Sequence, residues 1–187
     1  MENKIEIMHL MVISRCDHNC RMCCNNLYDI DKIPVATVEE LKTIHTLCIT
    51  GGEPFYAYMN PDDIAYHIKK QYPNIKRVYV YTSGRIFAEQ TNMQIYFIDG
   101  INIAPKNNRD WNALVLFCEK SEPDLIDNIA NLKSNRLYVF KEQAELFKEK
   151  YKFIAEMLNL NVIYRKWDKV FKTPDNEIFR RLPILFV

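Results

Sequence analysis

Strand-like and helix-like segments take turns along this chain at the spacing of βαβ units, and that alternation restricts its fold more than any other feature. The stretch Met8 to Ser14, "MHLMVIS", is apolar and rich in strand formers. Thr37 and Glu40 have the spacing of a capping box, which predicts a short helix to about Thr43. His45 to Thr50, "HTLCIT", reads as a short buried strand ended by Gly51-Gly52. Asn60-Pro61-Asp62-Asp63 opens a helix, with Asn as cap, Pro at the first position and two acids against the positive dipole end. A strand Arg77 to Thr82 follows, then a helix from about Ile86, and a strand pair or one bulged strand across Gln94 to Ala104. A helix around Asp110 to Glu119, a strand Arg136 to Phe140, a long helix Glu142 to Leu158 and a strand Asn161 to Lys166 complete the series. About six units fit, which is three-quarters of an eight-stranded barrel: an α/β fold, a partial (βα)6 barrel with parallel strands and outer helices.

At 187 residues, the expectation is one domain over 1–187. Residues 8–166 supply the partial barrel, and 167–187 form a C-terminal tail whose apolar end packs beneath the sheet. Lys+Arg is 25 against 24 for Asp+Glu, so the net charge of +1 gives no footprint for nucleic acid or an anionic membrane. The apolar run near the N-terminus is interrupted by Glu2, Lys4, Glu6 and His9, and resembles neither a secretory signal nor a membrane span. A cytoplasmic location follows as the default, where thiols stay reduced and serve metals or catalysis instead of disulfides.

Thiols are crowded here. Four of the six cysteines, Cys16, Cys20, Cys23 and Cys24, fall in "RCDHNCRMCCNN", directly after the first strand. That is the C-terminal end, where α/β barrels build their active sites. Three thiolates in one short loop select zinc or an iron–sulfur centre. A structural zinc wants four ligands, and no second Cys pair exists to complete it: Cys48 and Cys118 stand alone in a strand and a helix and read as core thiols. A cluster held by only three protein thiolates keeps one iron open.

"CDHNCRMC" resembles the CX3CX2C loop of the radical S-adenosylmethionine (radical SAM) enzymes, and "CITGGEPF", Cys48 to Phe55, resembles their GGEP motif at the end of the second strand. The resemblance covers about Met8 to Lys166, with its specific motifs in the first half. It implies a 4Fe-4S cluster on Cys16, Cys20 and Cys23, and S-adenosyl-L-methionine chelated to the open iron. It further implies that Gly51, Gly52, Glu53 and Pro54 receive the cofactor's amino group. The residue types suit that role, since glycines admit close approach, Glu53 offers an acceptor to an ammonium, and proline stiffens the turn. Ser83, in "YTSG" after the third strand, and Asn102 and Lys106, in "DGINIAPK", extend the expected cofactor site. Met22 stands where the family usually has an aromatic residue, with its thioether against the adenine. The implied activity is anaerobic radical chemistry, an oxidoreductase fed by flavodoxin or ferredoxin.

The absence of a cysteine-rich C-terminal extension leaves two substrate classes: a small molecule, or a partner enzyme on which an activase installs a glycyl radical. A non-catalytic iron–sulfur or zinc module is the alternative of another class; it needs Cys24 or His18 as fourth ligand. Cys24 reads as a spectator and His18 as a solvated loop residue. His9, His45 and His67 show no partner pattern, Trp111 and Trp167 read as packing residues, and Arg165, Lys166 and Asp168 mark at most a polar substrate edge.

Overall fold

The hydrophobic periodicity closes into an all-parallel sheet with helices packed against it. The computed structural model of the chain describes residues 4–186 apart from 17, 19, 57, 58, 90–92, 94, 169 and 171, and the backbone alone for 184–186. Its strands are β1 (Ile7–Ile13), β2 (Thr46–Gly51), β3 (Arg77–Thr82), β4 (Gly100–Ile103), β5 (Arg136–Phe140), β6 (Asn161–Arg165) and β7 (Glu177–Phe186). They form one seven-stranded sheet in the order β6-β5-β4-β3-β2-β1-β7, every neighbouring pair parallel.

Register separates two faces. Met8 pairs with Leu47, Ile49 with Val80, and Ile103 with Leu137, so these side chains share one face. There they join a single buried cluster with Leu41, Ala65, Leu114, Phe117 and Ile154 from the helices. The other face carries His9, Cys48 and Tyr79 in one row and Tyr81, Asn102 and Arg136 in the next. Parallel sheets buried on both sides are apolar throughout; here one face is polar.

Local signals explain the helix starts. The capping box of α1 (Val38–Thr43) is complete: Glu40 N–H donates to Thr37 Oγ1 at 3.1 Å, and Thr37 N–H to Glu40 Oε2 at 3.0 Å. Asn60 caps α2 (Pro61–Gln71) through Asp62 N–H, and Asn107 caps α3 (Asn108–Lys120) through the N–H groups of Arg109 and Asp110. Asp62 does more than face the dipole. Its buried carboxylate accepts the N–H groups of Tyr96, Phe97 and Ile98 at 2.7–3.0 Å, tying the approach to β4 onto α2.

Several expectations need correction. The helix expected from Ile86 is a 3-10 turn, Arg85–Glu89, and residues 90–92 after it lie outside the described residues. The strand expected over 94–104 shrinks to β4, Gly100–Ile103; Gln94 lies outside the described residues. A helix missed in sequence, α4 (Pro123–Ala130), follows α3. The expected helix from Glu142 to Leu158 is interrupted: α5 (Ala144–Leu146) passes through a π turn, Phe147–Tyr151, into α6 (Lys152–Met157). Tyr151 there stacks on Trp111, ring centroids 5.0 Å apart.

The tail does not pack beneath the sheet but extends it. β7 lies at the edge beside β1, with His9 Nε2 2.6 Å from Glu177 Oε2, which gives His9 a partner the sequence did not reveal. Arg180 donates twice to Glu40 Oε1, at 2.6 and 2.9 Å, and the backbone of 34–36 bonds to Arg181 along the outer edge. Pro183, which has no N–H to donate, falls where the β1–β7 register slips. No helix among the described residues is long and apolar enough to cross a membrane.

Candidate functional site

The thiol loop and the Gly51-Gly52-Glu53 turn are joined by backbone. After β1 and β2 end side by side, Gly52 N–H donates to Ile13 O at 2.8 Å and Glu53 N–H to Arg15 O at 3.0 Å. The approach explains both glycines. A Cβ on Gly52 would stand 1.8 Å from Arg15 O, and one on Gly51, whose φ is +147°, 2.2 Å from Ile13 O. The close neighbour is therefore the chain itself, where sequence reasoning expected a ligand. Asn25 reinforces the joint: its Nδ2 donates to Gly51 O at 3.2 Å, while its Oδ1 accepts the Tyr28 hydroxyl.

These elements enclose a cavity of about 140 Å³ at the C-terminal ends of β1 to β4. Cys16, Cys20, Cys23, Gly51, Gly52, Glu53, Ser83, Asn102 and Lys106 all line it. Met22, half-buried, and Pro54, buried, are absent from the wall. Sequence reasoning missed Thr50 and Tyr81, whose inward direction follows only from strand register, and Thr82 at the end of β3; it set aside Cys24 and His18, which also line the cavity. His18 is not solvated: it is 7% exposed, with its Nδ1 3.2 Å from Cys16 Sγ. Below the cavity the polar face continues into a second space of about 210 Å³, lined by His9, Cys48, Tyr79, Arg136 and Glu177, with Tyr81 common to both.

Glu53 is the buried acid of the site, 1% exposed. Its Oε1 accepts Thr82 Oγ1–H at 2.8 Å and Phe55 N–H at 3.4 Å; its Oε2 accepts Ser83 N–H and Oγ–H at 3.2 and 3.1 Å. Burial pushes its carboxyl up to about 7, against the pull of those four donors. Burial, reinforced by Asp110 and Cys23, pushes the Cys20 thiol up to about 11. Lys106 is held below the usual lysine range by burial, opposed by the neighbouring Cys24, Cys20 and Cys23. Its Nζ lies 4.5 Å above the Phe140 ring and 5.6 Å from that of Trp167, whose ring meets Phe140 at a centroid distance of 5.8 Å. Arg165, from the expected substrate edge, lies over Tyr138 at 3.9 Å. Asn102 is 2% exposed, faces the cavity, and its Oδ1 accepts no hydrogen bond among the described residues.

Cys16, Cys20 and Cys23 carry no disulfide. Among the described residues no three Cys, His, Asp or Glu side chains gather closely enough to hold a metal ion. A single tetrahedral zinc would draw its sulfur ligands to within about 4 Å of one another. A polynuclear cluster holds its thiolates farther apart, because its own irons and sulfides stand between them. Cys16, Cys20 and Cys23 all line the one cavity, a soft donor set of the kind that takes zinc or an iron–sulfur centre. Comparison with protein-family models and with curated proteins finds no match to this chain.

Proposed function

We propose that this chain is a radical SAM enzyme, with a 4Fe-4S cluster on Cys16, Cys20 and Cys23 and S-adenosyl-L-methionine in the adjoining cavity. The sheet, on this reading, curls as an open (βα)6 barrel, polar face inward, with β7 extending it beyond β1. One observation carries the proposal: two motifs remote in sequence, the thiol loop and Gly51-Gly52-Glu53, are hydrogen-bonded to one another and line a single cavity.

Held by Cys16, Cys20 and Cys23, the cluster would supply one-electron reduction of the bound sulfonium, the chemistry that opens a radical reaction on the substrate. The chain's own residues bind and orient. Cys16, Cys20 and Cys23 supply thiolates; Cys20, a weak acid as a free thiol, gives up its proton on ligation. Glu53, ionised, accepts the cofactor's ammonium, with Thr82 and Ser83 fixing the carboxylate plane. Asn102 Oδ1 offers an acceptor to a hydroxyl, and Lys106 a cation to a carboxylate. The electron donor is a reductant of the flavodoxin or ferredoxin kind, and the substrate is a small molecule or a partner protein.

Anaerobic reconstitution with iron and sulfide tests this. The expected product is a brown protein with about four irons per chain. Given dithionite and S-adenosylmethionine, it releases methionine and 5′-deoxyadenosine, and Cys20→Ala abolishes both colour and release. A colourless protein holding one tight zinc overturns the proposal.

A further inference from the structure

Beside the thiol cavity lies a larger, open cleft of about 660 Å³, lined by Cys20, Arg21, Arg85, Lys106, Asn107, Asn108 and Arg109. Cys20 and Lys106 line both spaces, so the two are neighbours. Four cationic side chains line the cleft, and its lining includes no acid among the described residues. They come from three places in the sheet: Arg21 from the loop after β1, Arg85 from the turn after β3, and Lys106 and Arg109 from the segment after β4. None of the four makes an ion pair among the described residues. Asp110 is fully buried, its carboxyl feels the charge of Arg85, and its Oδ2 accepts Lys106 N–H at 2.7 Å.

We propose that this cleft binds the phosphate end of a phosphorylated small molecule and presents the rest of that molecule to the thiol cavity. Calling the occupant a substrate rests on the radical SAM reading; anion binding itself does not. Three guanidinium forks suit the several oxygens of a phosphomonoester or diphosphate, whereas a lone carboxylate would use one fork and leave the others unpaired. The first N–H groups of α3 are taken by Asn107 Oδ1, so the anion is met by side chains. The volume is that of a small-molecule pocket. Nucleic acid would want a basic stripe, but the chain is nearly neutral, with Lys+Arg 25 and Asp+Glu 24.

Isothermal titration of the full chain with inorganic pyrophosphate at low ionic strength tests this, using wild type and the double variant Arg85→Gln/Arg109→Gln. Neither guanidinium makes a hydrogen bond among the described residues, so the variant keeps its fold, as its thermal melt checks. Wild type is expected to bind saturably, with affinity falling as salt rises, and each lost arginine to weaken binding about tenfold. Absence of saturable binding, or equal binding by the variant, overturns the proposal. A single-stranded oligonucleotide binding more than about tenfold tighter than pyrophosphate overturns it in favour of nucleic acid. The titration involves neither iron nor S-adenosylmethionine. Loss of the radical SAM reading therefore leaves its result standing, and a failed titration leaves cofactor cleavage untouched.

Discussion

Replacing Gly52 by alanine separates the joint that brings the two motifs together. The new Cβ would lie 1.8 Å from Arg15 O and 2.8 Å from Ser14 O, where ordinary contact begins at 3.4 Å. Both obstacles are backbone, so relief requires the ends of β1 and β2 to part by about 1.5 Å. Parting breaks Gly52 N–H to Ile13 O and Glu53 N–H to Arg15 O, bonds of 2.8 and 3.0 Å, each worth about 0.5–1.5 kcal/mol net. Glu53 moves with them and loosens from Thr82 and Ser83, bringing the total to about 2–4 kcal/mol. Urea unfolding followed by far-ultraviolet circular dichroism reads this directly. With a slope of about 2 kcal/mol per molar urea, the midpoint should fall by about 1–2 M. An unchanged midpoint with an unchanged slope would show that β1 and β2 do not approach as described, and the common cavity would go with them.

Two further outcomes follow from buried carboxyls. Glu53 has its folded pKa raised to about 7 from 4.5, so the folded state binds its proton more tightly than the unfolded state. The associated stability is fully present below pH 4.5 and is lost as pH rises to about 7, a change of about 3 kcal/mol. Glu53→Gln removes that slope whatever constant cost the amide brings; parallel stability–pH curves for the two proteins would refute it. Asp62→Ala leaves the N–H groups of Tyr96, Phe97 and Ile98 without their acceptor, and should cost about 2–4 kcal/mol in urea unfolding. A loss under about 0.5 kcal/mol would mean water replaces the carboxylate.

Features written locally in the sequence were legible. The capping box at Thr37 and Glu40 and the Asn60-Pro61 helix start need only residues three or four apart. The strand Arg77–Thr82 alternates and Arg136–Phe140 is a short apolar run, and the bounds of both agree with the structure. The Cys and Gly-Gly-Glu motifs were legible as residue types; their contact is a property of strand register. What failed to show is non-local. Asp62 reads as a dipole acid until the backbone 34 residues away is seen folded onto it. Residues 167–187 read as a tail with an apolar end because a strand pairing across the chain has no signal in its own stretch. The basic cleft is hidden in a net charge of +1, since Arg21, Arg85 and Arg109 are distant in sequence.

The place of β7 beside β1 has a kinetic consequence. His9 and Glu177 meet across a separation of 168 residues, so the strand bearing the thiol loop gains its outer neighbour only after nearly all the intervening chain has been synthesised. Until then β1 presents an open edge to other nascent chains, a template for misassembly that local helix formation does nothing to hide. Arg180 clasping Glu40 then acts as a late fastening, pinning the final strand to the first helix made.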